Sequence, residues 1–321
     1  MSSTYMLIII LIAVAAMILA ITKLKTHAFL ALLLVSIILG LAAGFSPSDT
    51  VSMVESGFGN ILGSVGIIVL VGGIIGTMLQ KSGAALVIAN TILSVVGEKH
   101  AATAMAIAGY ITGVPLFCNS GYVVLAPVAK AISIKSRVSM AVIASAMSAG
   151  LFTTHCFTPL HPGTLAVANS LGANFGLLLG LGLLVSIPVT IAGLIYGEKV
   201  SSKLRVELKD ELSEEDIIKT YGKLPGRFHS FSPIILIILL VALKTVADLE
   251  AAPFGTGTVK WICDLIGNPS IALIIGMFVS MTLVTGEDRK KISGYINEGI
   301  GGSVGMLAII GAGGSFGAVL Q

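Results

Sequence analysis

The sequence reads GVPLFCNSGY at Gly113–Tyr122 and TTHCFTPLHPGT at Thr153–Thr164. Both stretches place prolines, glycines and hydrogen-bonding side chains inside otherwise apolar sequence. An unsatisfied backbone group in lipid is costly, so a helix can be interrupted there only where protein or water surrounds the interruption. In secondary transporters, such interrupted helices hold the substrate near the middle of the membrane. The two stretches therefore predict two parts of one binding site.

The rest of the chain has the composition of a helical membrane protein with several spans. Of 321 residues, 55% are hydrophobic and 11% are charged, and the mean hydropathy is +1.00. A soluble domain carries about 25% charged residues. The 38 glycines suit close packing of helices in lipid. The three cysteines are far apart in the sequence, which is not the pattern of a disulfide framework.

Apolar stretches of about 20 residues predict the spans. The predicted spans are 5–21, 28–43, 61–79, 175–196, 231–246, 269–284 and 300–320. Residues 84–96 form a shorter apolar stretch between charges, which favours a helix at the membrane interface. Asp49 and Glu55 are predicted to lie in a turn. Residues 248–268 are predicted to form an outer loop, which includes Trp261. No basic residue precedes the first apolar run, so it is interpreted as a span with a periplasmic N-terminus and not as a signal peptide.

Residues 101–134 form an apolar stretch that the first interruption splits, with lysines near both ends. Because the stretch enters and leaves on one face, we predict a re-entrant hairpin with the interruption at its tip. Residues 138–171 are then a broken span that contains the second interruption. This threading puts nearly all of the 19 lysines and arginines on the cytoplasmic side, as the positive-inside rule requires.

An internal similarity predicts an inverted repeat. IVLVGGIIGTMLQ at 68–80 and IIGAGGSFGAVLQ at 309–321 share paired glycines and a Leu-Gln end. Glycine-rich helices can look alike by chance, but these copies run in opposite directions through the predicted topology, as in secondary transporters. We therefore predict a first repeat at 1–197, a cytoplasmic linker with a short surface helix at 198–229, and a partial second repeat at 230–321. The second hairpin and broken span are missing, so we predict a C-terminally truncated chain.

The residue types at the interruptions favour an anionic ligand. No aspartate or glutamate occurs between Glu98 and Glu198, whereas a site for Na⁺ or an organic cation usually brings a carboxylate. Helices that restart after an interruption present N–H groups and positive dipole ends. We therefore predict a small hydroxy-carboxylate, although backbone carbonyls leave Na⁺ open as a coupling ion. The predicted substrate-binding residues are Asn119, Ser120, Gly121, Thr154, His155, His161, Gly163 and Thr164.

His155 and His161 are also the candidates for proton coupling, because imidazole titrates near physiological pH. Alternatively, each histidine only hydrogen-bonds the backbone that nearby prolines leave free. Cys118, Cys156 and the two histidines are suitable metal ligands but have no compact ligand spacing, so no metal is predicted. GAGGSFG at 311–317 misses the spacing of a dinucleotide loop and follows no strand, so no cofactor is predicted.

These motifs resemble the gluconate permease family of the ion transporter superfamily. The resemblance extends over the whole chain and is strongest in PLFCNSGYVVLAP at 115–127, in residues 153–176 and in the GG-G-LQ ending of the third span. The His-Pro-Gly triplet at 161–163 is a fairly specific signal. The resemblance implies proton symport of gluconate or a related sugar acid across a bacterial inner membrane. It also implies a homodimer with scaffold and mobile transport regions that moves by an elevator-like step.

The chain departs from the family pattern at Asn119, where the hairpin tip is often acidic, and at Leu160 and Thr164, where prolines are usual. These departures leave the coupling ion and the substrate open, and D-serine or another small organic anion is an alternative. Because family members are longer, a second hypothesis is a transport-inactive remnant that still folds. A membrane-embedded hydrolase ranks last because the interruptions lack a carboxylate and no nucleophile motif appears, so no enzyme is predicted. No nucleic-acid partner is predicted either.

Overall fold

The computed structural model describes residues 3–204, 224–248, 255 and 257–320, and all regular secondary structure in these ranges is helical. The helices are α1 Ser3–Thr22, α2 Ala28–Ala42, α3 Pro47–Lys81, α4 Ala84–Val96, α5 Ala101–Gly113, α6 Cys118–Ser136, α7 Met140–Phe157, α8 Pro162–Ser170, α9 Phe175–Lys199, α10 Arg227–Ala247, α11 Thr258–Ile266, α12 Pro269–Met281 and α13 Ile292–Leu320. Short 3₁₀ turns occupy Glu98–His100, Ser201–Lys203 and Gly286–Lys291. The surface helix predicted in the linker lies outside the described residues.

The described helices confirm the prediction of an all-helical membrane protein with several spans. Within the described residues, six segments are long and apolar enough to cross a membrane, or seven if α11 and α12, which bend by 67°, form one span. Helices α7 and α8 together form one of the six, a segment of 31 residues. The inverted repeat and the re-entrant course of residues 101–134 stay predictions.

The chain divides into two compact units, and the first comprises Met1–Ile67 and Ser303–Gln321. Its core is formed by apolar side chains from α1, α2, α3 and α13. These residues are Ala13, Val35, Leu39, Val54 and Val319. The Ser315 hydroxyl donates a hydrogen bond of 2.8 Å to the carbonyl oxygen of Val54, which links α13 to α3. Small residues at this contact let the two helices approach closely.

The second unit, Ile68–Gly302, contains both interruptions. Its main contact is between α5 and α7, which pack together along their length, while α9 and α6 cover other faces of α7. Glycines allow the approach: an added Cβ at Gly150 would lie 2.5 Å from the backbone nitrogen of Tyr110. Helix α4, predicted at the membrane interface, is buried over most of its length against α5, α6 and α10.

The predicted turn at Asp49 and Glu55 is wrong, because both residues lie within α3. The Ser46 hydroxyl accepts a hydrogen bond of 3.1 Å from the backbone N–H of Asp49 and donates one of 2.7 Å to its carboxylate. Pro47 follows at the first helical position, where a missing N–H costs nothing. The helix therefore starts well before its apolar part, and α13 similarly begins at Ile292, ahead of the predicted span.

The predicted outer loop at 248–268 is also corrected, because residues 258–266 form α11 and Trp261 lies on that helix. Lys244 and Lys260 alternate with Asp248 and Asp264 in an ion network with N···O distances of 2.9–3.4 Å. The network joins the end of α10 to α11. Residues 249–254 and 256 of the predicted loop lie outside the described residues.

Candidate functional site

The eight predicted substrate-binding residues lie at three helix ends in the second unit. Asn119, Ser120 and Gly121 lie in the first turn of α6, Thr154 and His155 in the last turn of α7, and His161, Gly163 and Thr164 at the start of α8. The helices are interrupted at residues 114–117 and 158–161. The first N–H groups of α6 and α8 have no acceptor within their own helix. Both helices therefore begin with donors that an anion can use.

His161 joins the two interruptions. Its Nε2 lies 2.8 Å from the carbonyl oxygen of Gly113 at the end of α5, and its ring centroid is 6.2 Å from that of Phe117. Because a carbonyl oxygen can only accept, Nε2 carries a proton and donates this hydrogen bond. The side chain is almost fully buried, with 2% exposed. Nδ1 of this ring is buried without a hydrogen-bond partner among the described residues.

His155 lies directly beside His161. The two ring centroids are 4.2 Å apart and the planes are inclined by 39°. Nδ1 of His155 is also buried and has no partner in the part of the chain that the structure describes. Two positive charges at this separation repel each other. The pair can therefore hold one proton more easily than two, and the occupancy of one ring affects the other.

Thr154 and Gly121 serve the packing around the histidines. The Thr154 hydroxyl lies 3.1 Å and 3.2 Å from the carbonyl oxygens of Gly150 and Leu151 in its own helix. It also occupies the space that a Cβ at Gly113 would need. An added Cβ at Gly121 would lie 2.6 Å from a methyl carbon of Leu151. These contacts fix the distance between α5, α6 and α7, on which the position of His161 depends.

The remaining predicted residues lie at the starts of α6 and α8. Gly163 is exposed, with open space where a Cβ would stand. The Thr164 hydroxyl donates a hydrogen bond of 3.0 Å to the carbonyl oxygen of Cys156 and so spans the second interruption. Ser120 is half-buried in the first turn of α6. Asn119 precedes it in that turn, and the structure describes only its backbone.

Sequence reasoning missed two members of this arrangement, Gly113 and Phe117. The carbonyl group of Gly113 is available because the last carbonyls of a helix have no donor within the helix. Pro115 follows two residues later and marks the helix end in the sequence. The end of the helix could therefore be predicted from the sequence, but the hydrogen-bond partner of this carbonyl could not. Nothing in the sequence indicated that Phe117 would lie beside that histidine.

Among the described residues, no group of three or more histidine, cysteine, aspartate or glutamate side chains could hold a metal ion. Neither Cys118 nor Cys156 takes part in a disulfide bond among the described residues. The groups at the three helix ends include imidazoles, hydroxyls, the backbone N–H donors that begin α6 and α8, and the backbone carbonyls that end α7. The N–H donors and the imidazoles suit a carboxylate, which accepts hydrogen bonds from helix N-termini and from imidazole.

The sequence profile of the GntP family permease matches residues 5–321. The gluconate permease of Pseudomonas aeruginosa is 32% identical over 320 residues, which cover 97% of this chain and 70% of that protein. The D-serine transporter DsdX of Escherichia coli is 33% identical over 321 residues, 97% of this chain and 70% of the transporter. The Gnt-II system L-idonate transporter of Escherichia coli is 29% identical over 318 residues, 98% and 72% of the two chains. No solved structure matches the chain significantly.

Proposed function

Because the chain belongs to the GntP family of permeases, we propose that it carries a small hydroxy-carboxylate, gluconate first, into the cell by proton symport. The chain is a multi-pass membrane transporter and not an enzyme. The proposal places it in the bacterial inner membrane as a homodimer with a periplasmic N-terminus. The three relatives are named for gluconate, D-serine and L-idonate. Each of these molecules has a carboxylate and at least one hydroxyl, which are the groups that a shared site would recognise.

The unpartnered Nδ1 of His161 carries the proposal. A buried polar atom without a hydrogen bond costs about 1–3 kcal/mol, so a ligand that supplies the bond binds more tightly. His161 is also the N-cap residue of α8, where the helix dipole favours a negative charge. A carboxylate at this position would accept bonds from the first N–H groups of α8 and from a protonated imidazole. The hydroxyls of the ligand would reach Ser120 and Asn119 in α6.

Proton coupling follows from the histidine pair. Nε2 of His161 keeps its proton on the Gly113 carbonyl, so an incoming proton can add only at Nδ1. A protonated ring attracts the carboxylate, and loss of the carboxylate releases the proton, which couples the two movements. Repulsion between His155 and His161 limits the pair to one proton in each cycle. Na⁺ is the alternative coupling ion, because backbone carbonyls border both interruptions.

Gluconate is placed ahead of D-serine because of charge. The ammonium group of D-serine needs an anionic or strongly polar partner when it leaves water. Residues 99–197, which include both interruptions, contain no aspartate or glutamate. Gluconate has hydroxyls where D-serine has its ammonium, and these hydroxyls need only the neutral groups that the site offers.

The test is uptake of labelled gluconate by cells that express this chain, with and without an inward proton gradient. Unlabelled L-idonate and D-serine serve as competitors. His161→Gln keeps an amide donor for Gly113 but has no titrating nitrogen, so uptake should fall about tenfold or more and lose its pH dependence. His27→Gln is the matched control, because His27 is the N-cap residue of α2 in the first unit, whereas both interruptions belong to the second unit.

The outcomes separate the parts of the proposal. Undiminished, proton-driven uptake by His161→Gln would refute the role of His161. Uptake that follows a Na⁺ gradient would refute proton coupling and leave the anion site standing. No uptake by the parent chain, despite verified insertion into the membrane, would favour the transport-inactive alternative.

A further inference from the structure

A cavity lies at the ends of α5 and α6 that are remote from the first interruption. Its volume is about 810 Å³. It opens where α4 ends, α5 begins and α6 ends. The lining residues are Asn90, Leu93, Ser94, Val96, Gly97, Lys99, His100 and Lys135. Gly97 ends α4 with φ at +88°, in the left-handed region that favours glycine, and so turns the chain around the cavity.

The titratable residues that line this cavity are all basic. Lys99 and Lys135 line it from two separate parts of the chain, and His100 lies beside Lys99 as the N-cap residue of α5. The N-terminus of α5 adds a partial positive charge. In the sequence nearby, Lys99, Lys135 and Arg137 outnumber the single acidic residue Glu98. An anionic group is therefore the ligand that this cavity favours.

Part of the border of the cavity is apolar. Val95, next to the lining residues, is 81% exposed, and Leu93 and Val96 belong to the lining itself. Helix α4 is apolar apart from Asn90, Thr91 and Ser94. A soluble anion would use the lysines and leave these side chains uncovered. A phospholipid would use both, because its phosphate meets the lysines while its acyl chains cover the apolar border.

We infer that this cavity binds the headgroup of an anionic phospholipid from the surrounding bilayer. The inference is independent of the transported substrate, because the cavity shares no residue with the three helix ends around His161. A bound lipid would fix α4 and the base of the α5–α6 pair to the membrane surface. The lipid class follows from the lysines: phosphatidylglycerol carries a net negative charge, whereas phosphatidylcholine is neutral overall.

The test is native mass spectrometry of the full chain in detergent, titrated with phosphatidylglycerol or with phosphatidylcholine. Each lysine near an anionic headgroup contributes about fivefold to binding, so Lys99→Gln/Lys135→Gln should weaken phosphatidylglycerol binding about 25-fold. Lys290→Gln/Lys291→Gln is the matched control, because it removes two exposed lysines at another turn. The control should bind the lipid like the parent chain. Val95→Asn should weaken lipid binding by removing part of the apolar border.

Three results would overturn the inference. Equal binding of the two lipids would show that the cavity does not recognise the charge of the headgroup. Equal losses of phosphatidylglycerol affinity in the double variant and in its control would show that Lys99 and Lys135 do not form the binding site. Saturation by inorganic phosphate at the concentrations that saturate with lipid would show a site for soluble anions. If the double variant does not fold, Lys99→Gln alone serves as the test, because Lys99 is exposed. This variant should bind phosphatidylglycerol about fivefold more weakly than the parent chain. An unchanged affinity for phosphatidylglycerol would refute the proposal.

Discussion

Replacing Gly150 by alanine should force α5 and α7 apart and disturb the site between the interruptions. An added Cβ would lie 2.5 Å from the backbone nitrogen of Tyr110 and 3.0 Å from the backbone carbonyl carbon of Gly109, where ordinary contacts are 3.4–4 Å. It would also collide with the carbonyl oxygen of Ala106. All three are backbone atoms of a packed helix, which cannot rotate away as a side chain can. The two helices must therefore separate by about 1 Å.

The cost of this separation can be estimated from packing. A gap of about 0.5–1 Å forfeits a quarter to a half of the dispersion energy of each contact across it. Overpacked helix contacts typically cost about 1–3 kcal/mol, and the backbone clash puts Gly150 near the upper end. The carbonyl oxygen of Gly113 lies one helical turn beyond Gly109, so it moves with α5. Its bond of 2.8 Å to His161 would lengthen beyond hydrogen-bonding distance.

Gly180→Ala in α9 is the matched control, because a Cβ there meets open space. Both substitutions add the same helix propensity, so their difference isolates the clash. The apparent melting temperature of purified Gly150→Ala should be about 5–10 °C below that of the control, and gluconate uptake should fall. Equal melting temperatures would refute the close α5–α7 approach as a source of stability.

Two further predictions concern contacts outside the histidine pair. The hydroxyls of Thr153 and Thr190 lie 2.6 Å apart between α7 and α9. In a double-mutant cycle of unfolding free energies, Thr153→Val and Thr190→Val should therefore show a coupling energy of about 0.5–1.5 kcal/mol. Additive effects of the two substitutions would contradict this hydrogen bond. Lys260→Met should lower the melting temperature at neutral pH, because Lys260 and then Lys244 hold the pKa of Asp248 below its usual value. Since that pKa is lowered, the stabilisation is complete above the usual carboxyl range and is lost as the pH falls through the lowered value. The melting temperatures of variant and parent should therefore converge in acid, and a constant difference would argue against the ion network.

The interruptions could be predicted because they depend on local chemistry. Helix α5 ends at Gly113 and α6 begins at Cys118, inside the first quoted stretch. Helix α8 begins at Pro162, inside the second, where proline fits the first helical position. The partner of His161 could not be predicted, because Gly113 is 48 residues away in sequence. Only the packing of α5 on α7 brings the two residues together.

The corrected elements share a different cause. Hydropathy detects where a helix is apolar, whereas a helix can continue through polar residues when its end is capped or paired. The cap of Ser46 on Asp49 extends α3 beyond its apolar part. The ion pairs Lys260–Asp248 and Lys244–Asp264 hold α11 against the end of α10. Neither interaction changes the average hydropathy, so neither could be read from the composition of the stretch.

Glycines and histidines should therefore have separable effects at this site. Gly109 and Gly150 set the distance between α5 and α7, and that distance places the Gly113 carbonyl under His161. Replacing either glycine should reduce stability and uptake together, because scaffold and site move as one. His161→Gln keeps a donor for that carbonyl, so it should reduce uptake and its pH dependence while the melting temperature stays close to that of the parent. A large loss of stability in His161→Gln would mean that the imidazole serves the packing more than the ligand.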